Sequence, residues 1–197
     1  MSDPLTAILA ALVGGFLAAA TGWGLDRERE RAKLKKARNL LKTGILDDLQ
    51  HSLALYDQII ADWEKTQTVW FATLIELKNS RDIYDKHKQY ILLFENEQLR
   101  KDIFRYYLQS GELISTLEWN QQRKYSLHDD WNRELHKAKL THPDQPEDNL
   151  KTALAAVYAL ESQEYDRSSA MLENNVQKIP AMRQRALDIL KALNQVK

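Results

Sequence analysis

The chain has 197 residues, 44% of them apolar and 28% charged, which suits one folded body and excludes a disordered or collagen-like polymer. Twenty-eight basic residues balance 28 acidic ones, so a general electrostatic attraction to nucleic acid is not expected. There is no cysteine, which excludes disulfides, thiolate metal sites and cysteine nucleophiles.

The first element is an apolar segment, Leu5–Leu25, of 21 residues without an ionisable side chain. As a helix it covers about 30 Å, the hydrocarbon thickness of a bilayer. Pro4 stands where its missing N–H is harmless, and Trp23 falls where an amphipathic ring prefers the headgroup region. A cleaved signal peptide would need a basic leading region and a shorter apolar stretch, and the segment has neither.

Small residues form two stripes at four-residue spacing, Ala7, Ala11, Gly15 and Ala19 beside Ala10, Gly14, Ala18 and Gly22. Such a face lets backbones approach closely, so packing against further copies in the membrane is expected, around a narrow pore. Only Thr6 and Thr21 are polar there, so the closed state would be a hydrophobic constriction.

Charge then appears abruptly. Residues 26–42 hold eight basic and three acidic side chains, a net of +5. The basic flank follows the apolar segment, so the positive-inside rule places the remainder in the cytoplasm beneath an inner membrane. Arg27, Arg29, Arg31, Lys33, Lys35, Lys36 and Arg38 are expected to meet anionic lipid headgroups, each contributing about 1 kcal/mol.

Apolar residues recur every three or four positions from Leu34 through Leu41, Ile45, Leu49, Tyr56 and Trp63, with nothing between Trp23 and Leu34 to break the helix. The spacing predicts one helix running from the membrane into the body. A short helix is expected near 69–77, then one capped by Ser80, then a longer one starting at Asn96. Thr141–Asp148, with Pro143 and Pro146, reads as a loop. A helix from Leu150 to Val176 and a last one after Pro180 complete the body. The expected architecture is all-α: a transmembrane helix (1–25), a basic stalk (26–42) and a cytoplasmic helical bundle (43–197).

Chemistry-bearing patterns are sparse. Outside the apolar segment only Gly44 and Gly111 remain, too few for a phosphate-cradling loop. His128 and His136 lie two turns apart, too far to share a metal ion, so neither a metal nor a cofactor is expected. No serine has a nucleophile-elbow context, and the chain is not expected to be an enzyme. Arg81, Lys86, Lys88, Arg100, Lys101 and Arg105 interleave with Tyr84, Tyr90, Phe104 and Tyr107. Basic and aromatic side chains together suit a nucleotide or single-stranded oligonucleotide, whereas an ordinary amphipathic helix pair accounts for the same pattern.

By layout, the apolar segment, the basic stalk through Lys42 and the helical remainder resemble the transmembrane effector subunits of bacterial anti-phage defence systems. That resemblance implies an oligomeric, non-enzymatic membrane effector controlled by a signal at its cytoplasmic domain. The alternative is a membrane-tethered scaffold that recruits a soluble protein partner.

Overall fold

The computed structural model describes residues 4–195, with side chains described for Trp23 and from Asp26 onward. Seven α-helices and one 3₁₀ segment make up these residues, and no strand occurs among them. Helix α1 is unbroken over Pro4–Thr66, as the absence of a breaker predicts. It ends at Gln67, whose φ of 51° is the left-handed turn that terminates helices. Gln67 also donates its backbone N–H to Trp63 O, a capping bond of 2.9 Å.

Among the described residues no helix is long and apolar enough to cross a membrane. The expected span, including Ala7, Ala10, Ala11, Gly14, Gly15, Ala18, Ala19 and Gly22, lies outside the residues whose side chains are described. At its edge Arg27 stacks over the Trp23 ring at 5.2 Å. The stalk cations Arg29, Arg31, Lys33, Lys35 and Lys36 are exposed, and Arg38 is half-buried.

The body is built from four legs of alternating direction. The first is α1. The second descends as α2 (Phe71–Asn79), α3 (Asp82–His87) and the 3₁₀ segment Lys88–Leu93. The third is α4, Glu97–Thr141, and the fourth is α5 (Glu147–Val157), α6 (Ala159–Val176) and α7 (Ile179–Gln195). Hydrogen bonds set the directions. Tyr107 reaches Asp48 and Lys124 reaches Gln67, so α4 runs parallel to α1. Arg123 meets Glu164 and Gln109 meets Arg185, so the fourth leg runs back along α4. The two ascending legs are unbroken helices, and the two descending legs are segmented.

Asn96 starts α4 as expected, its side chain accepting the N–H of Leu99 at 3.0 Å. Ser80 does not cap α3. It closes α2, its hydroxyl donating to Leu77 O at 2.8 Å while its backbone N–H bonds Glu76 O. A short serine side chain serves either end of a helix, and its contact with Ser52 of α1 at 2.9 Å decides between them. The helix expected over 150–176 is interrupted at Tyr158, whose φ and ψ are −102° and 35°.

Leu41, Ile45, Leu49, Tyr56 and Ile59 of α1 form one wall of the core. Facing them are Ile103, Tyr106, Leu113 and Leu117 of α4, with Ile179, Met182, Ala186 and Leu193 of α7. Each fully buried Leu or Ile contributes about 1.5–3 kcal/mol. Past Lys124, α4 continues for roughly 25 Å beyond the end of α1. There it packs chiefly with α5 and α6, with Leu127, Leu135 and Leu150 buried.

Candidate functional site

The two glycines outside the N-terminal segment serve one purpose. A Cβ at Gly44 of α1 would collide with Ile83 Cγ2, and one at Gly111 of α4 would collide with the Arg81 guanidinium. Their missing side chains therefore let the α2–α3 connection wedge between the two ascending helices. Tyr84 of α3 stacks on Tyr107 of α4 in the same wedge.

A polar seam runs through this junction. Tyr107 Oη donates to Asp48 Oδ2 at 3.3 Å, and the Tyr84 backbone N–H supports the same carboxyl group. Burial outweighs these donors and raises the Asp48 pKa to about 6. Deeper in, Tyr56 Oη lies 3.3 Å from Tyr106 Oη and 3.2 Å from Ser110 Oγ. Burial pushes the hydroxyls of Tyr56, Tyr106 and Tyr107 upward, so all three keep their protons as donors.

The structure disperses the six expected cationic residues. Lys86 pairs with Asp82 at 2.9 Å and Lys101 with Glu97 at 2.6 Å, each within its own helix. Arg100 caps the chain before α4, donating to Phe94 O at 2.5 Å and Glu95 O at 3.1 Å. Lys88 is exposed. Arg81 turns inward over Gly111, with Asp85 3.9 Å away, and its Nε makes no hydrogen bond among the described residues. Tyr84 and Tyr107 are buried and stack on each other, which occupies the faces a base would need. Phe104 and Trp119 are exposed, and Tyr125 packs against Phe71 at 5.6 Å.

Arg105 is placed differently. It lines a groove of about 460 Å³ between α4 and α7, at the end of the bundle where α1 enters. The floor is Leu99, Tyr106, Ile189 and Ala192, and the rims carry Asp102, Gln109, Arg185 and Asp188. Arg185 Nη1 donates to the neutral Gln109 Oε1. Asp102 accepts from Gln98 at 2.8 Å and Asp188 from Gln184 at 2.9 Å, each along its own helix. None of these four charged groups forms an ion pair among the described residues.

Tyr106 joins this groove to the seam. Its ring lines the floor and its hydroxyl reaches Tyr56 of α1. Sequence spacing offered no route to Arg185 or Asp188, which stand some 80 positions from Arg105 and converge only through antiparallel packing. No group of three or more metal-ligating residues occurs among the described residues. No family model matches this chain, and neither the curated proteins nor the solved structures provide a match.

Proposed function

We propose that this chain is an oligomeric membrane effector. Its N-terminal helices associate in the inner membrane, open a conducting pore, and respond to a state change of the cytoplasmic bundle. The observation that carries this reading is the unbroken course of α1. One helix, Pro4–Thr66, contains both the uncharged 21-residue segment and the face buried at Leu41, Ile45, Leu49 and Tyr56. A helix without a hinge transmits rotation or translation along its length, so displacement of the core face is felt at its other end. A signal acts only to the extent that it favours one arrangement of the bundle over the other. The layout resembles that of anti-phage defence effectors, and such a role is part of the proposal.

The test replaces Gly14, Gly15 and Ala18 by leucine, which keeps hydrophobicity and removes close packing. Expression of the parent chain should collapse the membrane potential, and the triple variant should not. Equal depolarisation by both, or none by the parent, would sink the pore.

A tethered adaptor is the second reading, favoured by the outward face of α4. Phe104 and Leu108, one turn apart, are each more than half exposed there and suit contact with a soluble partner. An adaptor would keep working with an unrelated membrane anchor, whereas the effector would lose its activity.

A further inference from the structure

The α4–α7 groove is a candidate binding site that does not depend on the pore. Four charged groups surround it, two of each sign: Arg105 and Arg185, Asp102 and Asp188. Charges facing each other across a groove ordinarily pair. Here each aspartate is held back along its own helix by a glutamine amide, Gln98 for Asp102 and Gln184 for Asp188. Arg185 is likewise turned onto a neutral amide, and Arg105 has no ion-pair partner among the described residues. The charge-bearing groups are thus kept apart around an apolar floor.

A purely anionic ligand would gain from the arginines and be repelled by the aspartates. A cation would meet the opposite balance. A molecule carrying a separated carboxylate and ammonium satisfies both pairs, each contact being a charge-assisted hydrogen bond. About 460 Å³ falls in the range of small-molecule sites, enough for a free amino acid or a dipeptide with one apolar side chain. The apolar part would lie on Leu99, Tyr106 and Ile189.

We propose that the groove between α4 and α7 binds a small zwitterion, an amino acid or short peptide. Arg105 and Arg185 hold its carboxylate, and Asp102 and Asp188 hold its ammonium group. Because the floor residue Tyr106 is bonded to Tyr56, an occupant that shifts the Tyr106 ring also acts on α1.

The experiment is isothermal titration calorimetry on the full chain in detergent micelles, with the dipeptide glycyl-leucine as probe. Its N-acetylated and C-amidated forms, inorganic phosphate and a short single-stranded DNA are titrated alongside. Glycyl-leucine should bind saturably, and each blocked form should bind at least tenfold more weakly. Arg105→Gln with Arg185→Gln should abolish binding, as should Asp102→Asn with Asp188→Asn. All four positions lie on solvated rims, so the thermal melting curves should stay unchanged, which separates lost binding from lost folding. Equal binding of the blocked forms would overturn the assignment, as would indifference to the paired substitutions. So would binding of phosphate or DNA in preference to the dipeptide, or no saturable binding below about 10 mM. These outcomes are independent of whether the membrane helices conduct.

Discussion

The ring of Tyr84 lies flat on the ring of Tyr107, with centroids 3.8 Å apart and planes within 2° of parallel. This stack joins the shortest α-helix, α3, to one of the longest, and Tyr107 passes the contact on to Asp48 of α1 through its hydroxyl. Three legs of the bundle therefore meet at one aromatic pair.

Removing the stack should loosen that junction. Tyr84→Ala is expected to cost about 3 kcal/mol, within the range for truncating a buried aromatic ring. Tyr84→Phe keeps the ring and should stay within about 0.5 kcal/mol of the parent. Thermal unfolding of the full chain in mild detergent checks both, and equal losses for the two variants would show that stacking is not what matters.

Asp48 gives the bundle a pH dependence with a definite sign. Its folded pKa of about 6 stands above the ordinary 3.8, so the folded chain holds this proton more firmly than the unfolded chain does. Its contribution favours folding most below about pH 4, declines between about 4 and 6, and is flat above. Asp48→Asn removes the titration, so the stability difference between variant and parent should grow by about 2 kcal/mol from pH 4 to pH 7. Parallel stability curves across that window would refute the assignment.

The two body glycines should respond differently to alanine. Each substitution gains about 1 kcal/mol of helix propensity. At Gly111 the obstacle is the far end of the flexible Arg81 side chain, which can swing aside, so Gly111→Ala should be neutral or stabilising. At Gly44 it is Ile83, a β-branched residue stiff at χ1, so α3 itself must move. Gly44→Ala should therefore destabilise by about 1–2 kcal/mol net. The melting temperature of Gly44→Ala should fall below the parent's, and that of Gly111→Ala should equal or exceed it.

Tyr56→Phe deletes the hydroxyl shared by Tyr106 and Ser110. A loss of about 1 kcal/mol is expected. Combined with Tyr106→Phe in a double-mutant cycle, it should show a coupling of about 0.5–1 kcal/mol. Zero coupling would mean that the two hydroxyls do not act together, and would remove the link between the groove and α1.

Much of the secondary structure was legible because it is local. A three-to-four-residue apolar rhythm without Pro carries α1 past the stalk, Asn96 provides a side-chain acceptor at the start of α4, and Pro143 with Pro146 ends that helix. Each feature acts within one or two turns, so one sequence is enough to read it. The candidate site was legible only at Arg105. Lys86, Lys101 and Arg100 read as a basic cluster, but local carboxylates and carbonyls engage them once the helices form.

The sequence by itself therefore determined the all-helical character, the long first helix and the position of the clear loop, since hydrogen bonding between near neighbours decides these. Only the tertiary structure decided that Ser80 closes a helix, that Gly44 and Gly111 receive the α3 wedge, and that Arg105 and Arg185 line one groove. Those outcomes rest on contacts between residues tens of positions apart, which exist only after four legs of alternating direction have packed, and nothing in the local spacing encodes them.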